Sequence, residues 1–126
     1  MIHGVGVDLV QVERIQLAIT RHGERFARRL LSDMEFRNYQ EVTRKAPYLA
    51  KRFAAKEAFL KALGTGLRAG LTWQGIAVSH TSLGQPQLEL NGAVSKLMQE
   101  IGISTSHLSI SDDGAYAVAC VTLERN

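Results

Sequence analysis

Three charged residues occupy places where the surrounding pattern calls for apolar side chains. Glu57 and Lys61 lie in YLAKRFAAKEAFLKAL, and Asp8 lies in the otherwise uncharged run GVGVDLV. Helical residues advance by about 100° each. With Leu49 set at zero, Leu60, Phe53 and Glu57 fall near about 20°, 40° and 80°, and Ala50, Lys61 and Ala54 near about 100°, 120° and 140°. Glu57 and Lys61 are thus expected inside the most apolar stripe of their helix. Lys56 falls near about 340°, away from both, where a peripheral ligand contact and plain solvation fit equally. A Glu–Lys pair four residues apart is a common surface device worth roughly a few tenths of a kcal/mol. In an apolar stripe the same pair carries a large desolvation cost. Charges kept there are expected to face a cleft, a ligand or a metal.

Asp8 taken alone also reads as a turn or helix-capping residue ahead of Val12. Two carboxylates from separate apolar elements plus a lysine are more informative. Mg²⁺ binds through one or two carboxylates and fills its shell with water and substrate phosphates. A lysine supplies a point charge to a phosphate oxygen. The combination suits phosphoryl chemistry.

The elements that must hold these residues follow from periodicity and turn chemistry. Ile2 to Val10 reads as a strand and Val12 to His22 as a helix ended by Gly23. Glu24 to Leu31 reads as a short helix. Ser32 and Glu35 form a capping-box pattern opening a helix to about Val42. Pro47 suits a first helical turn. Tyr48 to Leu63 is a long helix stopped by the Gly64-Thr65-Gly66 segment. Ile76 to His80 and Gln87 to Leu90 are strands joined around Gly84 to Pro86. Gly92 to Ile101 is a helix. His107 to Ser111 and Tyr116 to Leu123 form a hairpin turning at Asp112-Asp113-Gly114. The expected fold class is α+β: early helices, a long central helix and a mainly antiparallel sheet, in a single domain over residues 1–126. Trp73 and Cys120 read as core.

The 126 residues are 45% hydrophobic, which supports a packed core, although a chain this short gains from self-association. A net charge of +3 favours acidic or phosphate-bearing partners without choosing among them. The single cysteine excludes an intrachain disulfide and fits a reducing compartment. No signal-peptide pattern opens the chain and no window reaches a membrane span, so the expectation is a cytoplasmic protein. Gly64 and Gly66 follow the lysine and the helix, whereas a Walker loop precedes them. Gly64 reads as a C-cap, and Gly66 leaves room for a ligand near the backbone.

Three stretches, GVGVDLVQVERI, LAKRFAAKEAFLKALGTG and HLSISDDGAYAVACV, together closely resemble the bacterial holo-acyl-carrier-protein synthase family. The resemblance spans nearly the whole chain and implies the phosphopantetheinyl transferase fold. It implies transfer of 4′-phosphopantetheine from coenzyme A to a serine of an apo-acyl carrier protein, which releases 3′,5′-ADP and activates the carrier for fatty acid biosynthesis. It further implies that Asp8 and Glu57 hold Mg²⁺ and that Lys61 clamps phosphate, these three forming the catalytic set. Coenzyme A contacts are implied for Arg44, Lys45, Arg52, Lys61, Gly64, Gly66 and His107. The family's trimers, with active sites between subunits, imply a homotrimer.

Arg14, Arg21, Arg25 and Arg28 recur at steps that would align on one continuous helix. They read either as a solvated face or, given the acidic carriers of the family, as the docking surface for the carrier, with Phe26 as core. A basic nucleic-acid-binding domain is the main rival. Against it, aromatics are only 6% and no aromatic-plus-basic strand motif appears. A structural oligomer using Glu57 and Lys61 as an interface bridge is the other.

Overall fold

The computed structural model describes residues 1–67 and 70–126. The chain runs β1 (Ile2–Gln11), α1 (Val12–His22), α2 (Glu24–Leu30), α3 (Asp33–Glu41) and α4 (Lys45–Leu63). After a 3-10 turn at Trp73–Gly75 come β2 (Ile76–His80), β3 (Pro86–Leu90), α5 (Gly92–Glu100), β4 (Ile103–Asp112) and β5 (Tyr116–Arg125). β1, β5 and β4 form an antiparallel sheet in that order, and β2 pairs with β3 in a separate antiparallel hairpin. The fold is α+β, as expected.

The punctuation is physical. Gly23 has φ +59 and separates α1 from α2. Ser32 accepts from the Glu35 amide while Glu35 accepts from the Ser32 amide, which is the reciprocal cap read from the sequence. Gly64 ends α4 at φ +90. Asp113 Oδ1 accepts from the amides of Ala115 and Tyr116 and closes the β4–β5 turn. Two boundaries differ by three residues or more. α4 begins at Lys45, so Pro47 is its third residue, which still costs no intrahelical bond. β4 begins at Ile103 because Ile103, Thr105 and Ser106 pair with β5 around an irregularity at Ser104, a polar stretch hidden from a hydrophobic pattern.

α4 lies across the inner face of the three-stranded sheet. Alternation turns Gly4, Gly6, Asp8 and Val10 of β1 toward it, together with Ala117, Ala119, Val121 and Leu123 of β5. The outer face carries Val5, Val7 and Leu9 in register with Thr122, Cys120 and Val118 of β5 and His107, Ser109 and Ser111 of β4. Cys120 therefore faces outward, half-buried, rather than into the core. Trp73 packs at the core's edge and is only half-buried. Phe26 packs on Phe53, ring centroids 6.4 Å apart, as a core-edge residue.

The surroundings of α4 correct the helical wheel. Between Tyr48 and Leu63 every residue is buried except Lys51, Phe53, Glu57 and Lys61. The stripe holding Glu57 and Lys61 is the uncovered one, and the core wraps the rest of the helix. Lys56, expected at the periphery, is 0% exposed. No helix among the described residues is long and apolar enough to cross a membrane.

Candidate active site

Strand alternation and close packing bring Asp8 to Glu57. Gly4 and Gly6 have no side chain where β1 crosses α4. A Cβ on Gly4 would stand 2.1 Å from the Ala62 carbonyl oxygen, and one on Gly6 would stand 1.9 Å from that of Ala58. The strand thus lies directly on the helix backbone, and Asp8, next on the same face, reaches the Glu57–Lys61 stripe. Lys61 Nζ donates to Asp8 Oδ1 at 3.0 Å and to the Val7 carbonyl at 3.0 Å. The i,i+4 bridge between Glu57 and Lys61 weighed from the sequence does not form. The lysine crosses to the strand instead.

Glu57 is half-buried between two clefts. One, of about 370 Å³, is lined by Glu57, Leu60, Lys61, Gly64, Gly66, Leu67 and Trp73. The other, of about 510 Å³, includes Asp8, Arg14, Phe53, Glu57 and Tyr116. Burial raises the Glu57 pKa above the usual glutamate range, the Asp8 carboxylate raises it further, and Lys61 partly opposes them. Two neighbouring carboxylates form an all-oxygen donor pair suited to a hard divalent cation, whose charge offsets their repulsion. No cluster of three or more His, Cys, Asp or Glu occurs among the described residues. Two carboxylates completed by water and phosphate are what Mg²⁺ uses, so the donor set fits that ion.

The remaining expected ligands of coenzyme A divide. Gly64 and Gly66 line the smaller cleft beside Lys61. Arg44 and Lys45 line a different groove with Gln11, Thr43 and Gly114. Lys45 Nζ is occupied by the carbonyls of Tyr39, Gln40 and Val42 at the end of α3. Arg52 is buried with its guanidinium 3.8 Å above the Tyr48 ring, and its Nε has no partner. His107 bonds Glu124 at 2.5 Å on the outer sheet face, opposite the face that holds Asp8. Within one chain, then, none of Arg44, Lys45, Arg52 and His107 lines either cleft beside Glu57.

The arginines split as well. The break at Gly23 puts Arg14 and Arg21 on α1 and Arg25 and Arg28 on α2, so no continuous helix aligns them. All four are exposed, and Arg28 stacks on Phe36 at 4.3 Å.

Sequence reasoning missed Phe53 and Trp73, whose rings lie 5.8 Å apart at the clefts' edge. It also missed the partner of Lys56. Glu35 was legible as a cap but not as the far end of a buried ion pair.

Comparison with known proteins identifies the family and the fold. Residues 4–121 match the model of the 4′-phosphopantetheinyl transferase superfamily. The chain is 47% identical to a holo-(acyl-carrier-protein) synthase of Vibrio cholerae over 125 residues, 99% of each chain. The crystal structure of the Neisseria meningitidis holo-(acyl-carrier-protein) synthase superposes with TM-score 0.95 at 41% identity, covering 99% of this chain and 100% of that one. A Helicobacter pylori homologue in complex with coenzyme A gives TM-score 0.83 at 30% identity, covering 95% and 99%.

Proposed function

The chain belongs to the 4′-phosphopantetheinyl transferase superfamily, and we propose on that footing that it moves 4′-phosphopantetheine from coenzyme A to a serine of an apo-acyl carrier protein, for fatty acid biosynthesis. The observation that carries the reading is the meeting of Asp8, Glu57 and Lys61 from two elements at the junction of two clefts. In this reading the coenzyme A diphosphate enters the cleft of Lys61, Gly64 and Gly66. Asp8 and Glu57 would hold Mg²⁺, which when bound supplies positive charge against the diphosphate.

The chain's own groups then have defined tasks. Lys61 is half-exposed and carries three donors. In its contact with Asp8 it already presents those donors to an anionic oxygen, so it serves here as a charge clamp for phosphate. In the free protein Lys61 neutralises Asp8, and a phosphate oxygen can take over that contact. The cleft containing Arg14 and Tyr116 opens on Glu57 from the other side and suits entry of the carrier serine. The serine oxygen bonds to phosphorus while its proton passes to solvent water, and the bond from that phosphorus to the 3′,5′-ADP oxygen breaks, so that 3′,5′-ADP leaves with the bridging oxygen. Holding the two substrates on opposite sides of one carboxylate supplies the in-line positioning that such a displacement needs.

The deciding experiment is mass spectrometry of an apo carrier incubated with the protein, coenzyme A and Mg²⁺. The carrier should gain the phosphopantetheine mass, and EDTA should prevent the gain. An unmodified carrier under saturating conditions would refute the transfer.

Arg14, Arg21, Arg25 and Arg28 are assigned to carrier docking, supported by their exposure and by the position of Arg14 in the Glu57 cleft. Arg14→Glu with Arg21→Glu should raise KM for the carrier about tenfold or more while leaving KM for coenzyme A nearly unchanged. Equal losses on both substrates would remove the assignment.

The reading includes a homotrimer whose active sites lie between subunits. Val5, Val7 and Leu9 are all more than half exposed on the outer sheet face, an apolar stripe that asks to be covered. His107 shares that face, so a contact from His107 to coenzyme A in the Glu57 cleft requires a second subunit. Arg44, Lys45 and Arg52 are assigned to the same substrate from the neighbouring side. Equilibrium sedimentation should give three times the chain mass, and a monomer at micromolar concentration would contradict it. The reading also assigns the protein to the cytoplasm, which cell fractionation tests.

A further inference from the structure

Lys56 is the most thoroughly buried charge in the described chain, and the transfer chemistry makes no use of it. Its Nζ donates to the Leu30 carbonyl at 2.6 Å, to Glu35 Oε1 at 2.7 Å and to the Trp73 carbonyl at 3.0 Å. An ammonium has three protons, and all three are committed. Glu35, 2% exposed, is equally committed. Its Oε1 also accepts from the Ser32 amide and its Oε2 from the Val78 amide, both at 2.9 Å. One ion pair therefore ties together the end of α2, the cap of α3, the 3-10 turn, β2 and α4.

Stability alone is a poor reason for such a pair. Burying each ion costs several kcal/mol, and well-packed apolar replacements are often as stable or more so. What apolar residues cannot do is fix a backbone carbonyl at a set distance from a helix. The carbonyl fixed here is that of Trp73, whose ring packs on Phe53 and lines the cleft with Glu57, Lys61, Gly64 and Gly66. Lys56 is one residue from Glu57 in the same helical turn. The far wall of the cleft is thereby referenced to the turn that presents Glu57.

We infer that Lys56 and Glu35 are positioning residues that set the spacing between the Trp73 wall and the Glu57–Lys61 edge, and through it the fit of the phosphate-bearing substrate. The substrate's identity rests on the transferase reading, while the positioning itself does not. Gln74 supplies a separate tether, donating to the carbonyls of Arg28 and Arg29. Loss of the ion pair therefore leaves the turn attached to α2 through Gln74 while freeing the carbonyls of Trp73 and Leu30.

The chain's single tryptophan makes the test direct. The double variant Lys56→Met/Glu35→Gln removes both charges together and keeps an amide side chain able to complete the Ser32 cap. With the helical circular dichroism preserved, Trp73 emission should shift to longer wavelength and become more open to acrylamide quenching. KM for coenzyme A should rise about tenfold or more, as expected for a displaced binding wall, with KM for the carrier within about twofold. A folded variant whose melting temperature falls while Trp73 emission and KM for coenzyme A stay at wild-type values would overturn the inference. Should the double variant not fold, Glu35→Gln alone keeps the ammonium and the cap, and the same readouts apply with smaller shifts. Unchanged emission and KM there would equally overturn it. The emission and quenching measurements use no substrate, so they stand whether or not the transferase reading does.

Discussion

Glu57→Gln is expected to leave a folded protein with transfer reduced on the order of 10²-fold or more in kcat/KM. The substitution is nearly isosteric and removes the negative charge that a hard cation needs. A loss of 10²-fold corresponds to about 2.7 kcal/mol of transition-state stabilisation, which one charge at the reacting centre can supply. Glu57 is half-buried and accounts for no ion pair among the described residues, so the fold does not depend on its charge. Metal-free Glu57→Gln should if anything gain stability. The sign follows from the raised pKa of Glu57, caused first by burial and then by Asp8. Folding favours the protonated form. That favour is complete below the ordinary glutamate range and is lost as pH rises through the raised folded value. Transfer has the opposite dependence, since the ionised form is the one that binds cation. At limiting Mg²⁺ the acid limb of kcat/KM should therefore lie above the usual glutamate range, and raising Mg²⁺ should move it down as cation displaces the proton. Steady-state kinetics of the purified variant with Mg²⁺, beside its circular dichroism, checks the main claim. A Glu57→Gln enzyme with wild-type kcat/KM would eliminate Glu57 as a metal ligand.

The candidate site was legible in the sequence to the extent that its residues violate local pattern. Asp8 breaks a β-branched strand, and Glu57 and Lys61 break an apolar helix. Both violations marked residues that the fold brings together, although the wheel mistook the open stripe for the buried one. The cause is composition: α4 is covered on almost every side, so its apolar residues do not single out a face. Two charges at helical spacing then marked the gap in the cover. Lys56 escaped for the opposite reason. Its partner is Glu35, twenty-one residues away, and nothing local distinguishes a lysine bound for the core from one bound for solvent. The helix ends were readable because Gly23, Ser32 and Gly64 each solve a local backbone problem. Cys120 was misjudged because β5 alternates cleanly, and only the strand register shows which half of the alternation faces α4. The continuity of the arginine face failed at Gly23 itself: the same glycine that marked a helix end also breaks the phase between Arg21 and Arg25.

Gly6→Ala carries the second large expectation, and it acts without touching a charged group. A methyl at this position would stand 1.9 Å from the Ala58 carbonyl oxygen and 2.6 Å from the Ala62 amide nitrogen. Both obstacles are helix backbone, so no side-chain rotation relieves the clash, and β1 must lift from α4. Overpacking of this kind costs about 3 kcal/mol at the upper end of its usual range, or roughly 10 °C in Tm for a domain of this size. The lift also moves Asp8, two residues along the same face, away from Glu57 and Lys61. Transfer should then fall by more than the unfolded fraction explains, because a shift of about 1 Å at a reacting centre can cost on the order of 10²-fold. Gly84→Ala is the control. Gly84 has φ +88, no atom within 4 Å of a built Cβ and no part in lining either cleft, so it loses only the left-handed preference, about 1–2 kcal/mol. Thermal melts and kcat/KM of the folded proteins separate the two. Gly84→Ala should lose stability alone. Gly6→Ala should lose stability and also the Lys61–Asp8 contact, which an altered salt dependence of Mg²⁺ binding would register. If Gly6→Ala keeps wild-type kcat/KM per folded molecule, the close approach of β1 to α4 is a packing convenience and does not set the spacing of the two carboxylates.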